Sequence, residues 1–161
     1  MSTPPRPDQT IQEAPATYRF GPVCTGTLVD SCVLIDVLAN DAQWADWSLA
    51  ALDAQSQLGP LLINPIILAE VSPRFERASD LQAALSGLPL VRQALPWDAA
   101  FLAGQAFKLY RQSLGQKTSP MPDFYIGAHA IVGGLQLLTR DVARYRTYFP
   151  KLAVVGPSCA K

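Results

Sequence analysis

The sequence predicts an α/β fold: a doubly wound, mainly parallel sheet with helices on both faces. Three observations carry this reading. Short apolar runs alternate with longer stretches of helical rhythm, as parallel strands joined by crossover helices require. The runs are apolar throughout rather than alternating, which suits strands covered on both faces. The first run, Leu28 and Val29, ends abruptly on an acid, Asp30, before Ser31 and a new apolar helical pattern. In open α/β sheets ligands bind just beyond the carboxyl ends of the strands, where Asp30 would stand.

Residues 1–22 hold five prolines and little apolar material, and are expected to form a flexible lead-in. Residues 23–157 are expected to form one domain, with 158–161 as a tail. The first strand falls near 26–30. Ser31 is expected to cap a helix whose apolar positions Val33, Leu34, Val37 and Leu38 share a face. Asn40 and Asp41 break it, and a second helix is expected over 42–57, with Trp44 and Trp47 one turn apart. Gly59 and Pro60 close this unit. Leu61–Ile63 is the second strand. Asn64 followed by Pro65 is a strong helix start, an N-cap with proline at the first helical position. Glu70 lies in that helix, with Pro73 just beyond it.

Further on, a helix fits 80–85 and a brief strand 88–91. Trp97–Gln112 reads as an amphipathic helix with Lys108 and Arg111 on its exposed side. Asp123 is expected to open an apolar helix running to Val132, stopped by Gly133 and Gly134. A strand at 135–139 leads into Asp141, then a basic helix, Val142–Tyr148, and a last strand at 152–155. No internal repeat is evident.

A chain of 161 residues, 49% hydrophobic, can build the core of one ordinary domain. No apolar run approaches the ~18 residues of a membrane span, and the N-terminal residues lack the apolar region of a secretory signal. Cys24, Cys32 and Cys159 are scattered, which argues against a zinc site or disulfide framework and for a reduced, cytoplasmic protein. The net charge is zero but uneven. Residues 1–100 hold 5 Lys/Arg and 11 Asp/Glu, whereas 101–161 hold 8 Lys/Arg and only two acids, Asp123 and Asp141. A basic C-terminal portion suits a polyanionic partner, although basic surface also serves solubility alone.

Four acids stand out: Asp30 after a strand, Glu70 in an apolar helix turn, Asp123 opening an apolar helix, and Asp141 after a strand. Taken singly, Asp123 and Asp141 also fit plain helix caps; Asp30 and Glu70 fit that explanation less well. Brought to one sheet edge, four carboxylates raise one another's pKa unless a cation shares the site. Carboxylates with retained waters are what Mg²⁺ or Mn²⁺ selects. Such an ion orients water and steadies a phosphate during in-line displacement. The cluster therefore reads as a metal-dependent phosphodiesterase site, with the basic portion holding the nucleic-acid backbone.

The set LVDSCVLID, ILAEV, PDFYIGAHA and LLTRD, in this order, resembles a PIN-domain ribonuclease, most of all the VapC-type toxins of bacterial toxin–antitoxin pairs. The resemblance covers roughly residues 25–157. It implies a Mg²⁺- or Mn²⁺-dependent endoribonuclease of a PIN-like fold, a cognate antitoxin that blocks the site, commonly a homodimer, and tRNA or rRNA as substrate. Carried over by position, Asp30, Glu70, Asp123 and Asp141 match the catalytic acids. Of these, Asp30, Asp123 and Asp141 are expected to ligate the metal. Ser31 and Thr139 match the supporting hydroxyl positions. The longer proline-rich N-terminus departs from the family's pattern.

Arg140, Arg144, Arg146 and Lys108 are candidate RNA-binding residues. Arg144 is expected to reach a phosphate but not the metal. His129 falls off the face that Asp123 shares. Asp36 reads as a helix-surface acid and Asp98 as a cap. No GxGxxG, Walker-type loop or HExxH occurs, which removes support for dinucleotide, NTP and zincin chemistry. Two other readings remain: a catalytically inactive PIN-like binding module, and a related DNA-directed nuclease.

Overall fold

The computed structural model describes residues 24–113 and 115–158; the proline-rich lead-in and Cys159 lie outside them. Five strands form one sheet: β1 (Thr27–Val29), β2 (Leu61–Ile63), β3 (Leu90–Arg92), β4 (Gln136–Leu138) and β5 (Val154–Val155). Their order is β3-β2-β1-β4-β5, and every pairing is parallel. The three central strands are mostly apolar and largely buried, as strands covered on both faces are.

Among the described residues, seven α-helices connect the strands: α1 (Ser31–Leu38), α2 (Ala45–Ser56), α3 (Pro65–Val71), α4 (Ala78–Leu85), α5 (Trp97–Gln112), α6 (Pro122–Val132) and α7 (Val142–Tyr148). The chain winds outward from β1 to β2 and β3, then returns past β1 to β4 and β5. With right-handed crossovers, the rule for parallel connections, such a reversal sends the outward and returning helices to opposite faces. The reversal lies between β1 and β4, the switch point where such sheets bind ligands. Val29 is in register with Leu138 there, so the residues just beyond, Asp30 and Thr139, emerge side by side.

Several local expectations change. Asp30, not Ser31, is the N-cap of α1; its carboxylate accepts the Ser31 N–H. A carboxylate at the first orphaned amide satisfies the donor and meets the positive helix end at once. The second helix starts at Ala45, because the Asp41 side chain takes the Gln43 and Trp44 amides into a turn first. Asp98 lies within the first turn of α5, behind the N-cap Pro96, and caps nothing. The Asn64–Pro65 start is as expected, with Asn64 Oδ1 accepting the Ile67 N–H at 2.9 Å.

The returning half is fixed by aromatic packing. Phe124 of α6 meets Tyr148 of α7 edge-on, with ring centroids 4.9 Å apart, and also touches Phe107 and Tyr110 of α5. Gly127 lets the Phe149 ring lie against α6, since a Cβ there would come within 2.4 Å of it. This packing sets the first turn of α6, and with it Asp123, against α7.

Candidate active site

Asp30 is buried, 4% exposed, at the tip of β1. Its Oδ1 accepts the Ser31 N–H at 2.8 Å and its Oδ2 the Thr139 hydroxyl at 2.6 Å. Burial raises its pKa first; the nearby charge of Asp123 adds to this, and the hydrogen bonds from Thr139, Cys32 and Ser31 oppose it. The Ser31 hydroxyl donates to Glu70 Oε2 at 2.8 Å and lies 3.4 Å from Asp30 Oδ1. Glu70, half-buried in α3, also has a raised pKa, from burial and then from the charges of Asp30 and Asp123, with Ser31 and Arg144 opposing.

Asp141 follows β4. Its N–H donates to Thr139 Oγ1 at 3.1 Å, and its own Oδ1 caps α7 by accepting the Arg144 N–H at 3.2 Å. Asp123 is not a cap: Met121 occupies that position, and Asp123 sits in the first turn of α6. Its Oδ2 lies 2.5 Å from Arg144 Nη1, and its Oδ1 accepts the Tyr145 hydroxyl at 3.5 Å. The Arg144 Nε is 3.2 Å from Asp141 Oδ2. One unbroken run of polar contacts therefore joins all four acids: Glu70, Ser31, Asp30, Thr139, Asp141, Arg144, Asp123.

Two of the four candidate docking cations are placed otherwise than expected. Arg140 turns inward. Its Nε lies 2.7 Å from Asp36 Oδ2, as an ion pair without hydrogen-bond alignment, and its guanidinium lies 5.1 Å from the Trp44 ring centroid. Asp36, read as a surface acid, is buried and accepts the Ser48 hydroxyl at 2.8 Å. Arg144 stands on the acids themselves rather than beyond them. Arg146 and Lys108 are exposed on α7 and α5.

His129 is fully buried away from the acids. The Asn64 amide is 3.0 Å from its Nδ1, and burial lowers its pKa. Asn64 Oδ1 is committed to capping α3, so its NH₂ donates and Nδ1 accepts, leaving the proton on Nε2.

Two residues at the site had no signal in the sequence. The Cys32 thiol donates to Asp30 Oδ2 at 3.5 Å, and burial followed by the Asp30 charge pushes its pKa up to about 11, so it stays protonated. Tyr145 is buried beneath Asp123, its phenol held neutral by burial and by the surrounding acids. An aromatic in a short basic helix gives no hint of a carboxylate from a different helix.

Among the described residues, no three His, Cys, Asp or Glu side chains are drawn together tightly enough to enclose a metal ion. The donors are hard carboxylate oxygens in an open arrangement. That fits a hydrated Mg²⁺-like ion, which keeps several waters and uses one or two carboxylates, and does not fit a closed structural site.

A family model described as the PIN domain matches residues 27–150. The chain belongs to the PIN-domain family. The fold agrees with solved members of toxin–antitoxin complexes. A chain of VapBC2 from Rickettsia felis, bound to a DNA fragment from its promoter, is 16% identical with a TM-score of 0.63, covering 81% of this chain and 97% of that one. A toxin–antitoxin complex from Klebsiella pneumoniae is 23% identical with a TM-score of 0.60, covering 83% and 98%. VapBC-1 from nontypeable Haemophilus influenzae is 12% identical with a TM-score of 0.61, covering 81% and 96%. At these identities the likeness concerns the PIN fold. No curated protein matches the chain.

Proposed function

We propose that this PIN domain is a metal-dependent endoribonuclease, the toxin of a type II toxin–antitoxin pair. The observation that carries this is the continuous run of contacts joining Asp30, Glu70, Asp123 and Asp141 at the switch point of the sheet. Asp30, Asp123 and Asp141 would hold a hydrated Mg²⁺ or Mn²⁺ ion, one or two of them directly and the rest through its waters. When bound, that ion supplies Lewis acidity toward the phosphate and a water of lowered pKa.

The chain's own groups do the rest. Thr139 and the Ser31 amide fix the Asp30 carboxylate toward the site. Glu70, with its raised pKa and its tether to Ser31, is suited to take the proton as water attacks phosphorus. The phosphorus–oxygen bond to the leaving nucleotide then breaks, and that oxygen takes a proton from solvent water, while Glu70 later returns its own to solvent. Exposed Lys108 and Arg146 would hold flanking phosphates.

Single-stranded loops of tRNA or rRNA are the favoured substrates, because the deep major groove of A-form RNA hides its base edges. Action in the cytoplasm and restraint by a cognate antitoxin belong to the same reading. Trp97 and Phe101, 91% and 65% exposed and one turn apart on α5, would form part of a homodimer contact.

The test is cleavage of tRNA and total RNA with Mg²⁺ or Mn²⁺, with and without chelator. Asp123→Asn is expected to lower the rate by about 100-fold or more, the scale of losing one essential charge-stabilising group. Metal-independent cleavage, or none from several RNA pools, refutes the reading and favours an inactive binding module. Cleavage of single-stranded DNA in preference to RNA points to a DNA-directed nuclease.

A further inference from the structure

Both oxygens of Asp123 are already engaged. Oδ2 takes the Arg144 Nη1–H and Oδ1 the Tyr145 hydroxyl. The same guanidinium lies on Asp141 through Nε, and its charge reaches Glu70. A planar fork of donors is well matched to two carboxylates at once. The Asp123 carboxylate is only 19% exposed, whereas the Arg144 side chain is 50% exposed. The arginine can therefore withdraw into water without opening the core, while α7 keeps its backbone in place. Two acids expected to ligate a metal are thus bridged by a cation of the chain's own.

We propose that Arg144 is a built-in competitor of the divalent cation: its guanidinium holds Asp123 and Asp141 in the metal-free protein and must release Asp123 before that carboxylate can ligate. This rests on the reading that the acids hold a divalent metal. A ligand that needs a site open only part of the time shows its affinity reduced by that open fraction. Arg144 thereby sets the cation concentration at which the site fills, and it neutralises part of the acidic cluster until then.

The test is Mn²⁺ binding by calorimetry, without RNA, for the wild type, Arg144→Gln and Arg144→Lys at one pH and ionic strength. Arg144→Gln is expected to bind Mn²⁺ about five- to tenfold more tightly, the scale of one partly exposed charge pair. Arg144→Lys, which keeps the charge but loses the fork, falls between. In the wild type, the Arg144 Nε–H signal in a ¹H–¹⁵N spectrum should shift as Mg²⁺ is added, with the same midpoint as the Mg²⁺ heat.

If the wild type binds Mn²⁺ and Arg144→Gln binds it no better, the competitor role is wrong and the metal site stands. If neither binds, both fall. Should Arg144→Gln not fold, the wild-type titration decides alone: an Nε–H signal indifferent to Mg²⁺ overturns the proposal.

Discussion

Arg140 and Arg144 lie one helical turn apart in sequence, on either side of Asp141, and each pairs with an aspartate from a distant element. The Arg140 pair is enclosed. Asp36 is 2% exposed, holds the Ser48 hydroxyl as well, and has Arg140 stacked over Trp44. The Arg144 pair is open. Its arginine is half exposed, shared between Asp123 and Asp141, and set among acids that outnumber it. Where a carboxylate is walled in with a single cation, as Asp36 is with Arg140, it has no alternative partner, and the pair is part of the scaffold. Where a cation is shared among several carboxylates beside water, exchange for another cation costs little. Enclosure and charge balance, not residue type, separate the two.

The largest expected effect lies on the enclosed side. Asp36→Ala strips Arg140 of its partner and leaves the Ser48 hydroxyl unpaired. Urea unfolding should show a loss of about 3 kcal/mol, the lower end for a broken buried pair, because Arg140 keeps some water. Mn²⁺ binding by the folded variant should be unchanged. A loss below about 0.5 kcal/mol, the level of an ordinary surface substitution, would erase the distinction.

The next effect has the opposite sign. Burial and the nearby Asp123 charge oppose ionisation of Asp30, so its pKa lies above the ordinary 3.8. An acid with a higher pKa folded than unfolded takes up its proton first in the folded state. The metal-free protein therefore gains stability from this group as pH falls through the raised pKa, and loses it above. Asp30→Asn should stabilise the metal-free protein at pH 7 by on the order of 1 kcal/mol, lack the acid-side gain, and abolish Mn²⁺ binding. His129, buried neutral with a lowered pKa, opposes folding as pH drops below its ordinary 6.5. It is present in both proteins, so the difference between their stability–pH curves reports Asp30 together with Glu70, whose carboxyl the Asp30 charge also pushes up. A less stable Asp30→Asn at pH 7 would show that its hydrogen bonds outweigh its burial.

The smallest effects belong to cations outside both pairs. Lys108→Ala and Arg146→Ala should leave thermal stability within about 0.5 kcal/mol. Each should lower the slope of log RNA affinity against log salt by about one if it meets a phosphate. Arg140→Ala should instead behave as a stability variant, with the slope retained. An Arg140→Ala protein that folds normally and loses salt dependence would return Arg140 to the RNA-facing set.

Much of this molecule follows from local sequence. Leu61–Ile63, the Asn64–Pro65 helix start, Trp97–Gln112 and Val142–Tyr148 lie where apolar rhythm and capping chemistry put them. The acids after the apolar runs mark strand ends, because a carboxylate does not stay inside a buried strand. Partner choice was decided elsewhere. Asp36 sits on a helix with an ordinary amphipathic pattern, and only the docking of α2 and the turn after β4 encloses it with Ser48 and Arg140. Ser31 faces Glu70 because α3 packs beside α1, and Arg144 faces Asp123 because Phe124 and Tyr148 hold α6 against α7. Hydrophobic period and capping act over a few residues and can be read along the chain. Burial of a charge, and the identity of its counter-charge, depend on surfaces that meet only once the sheet has ordered its strands.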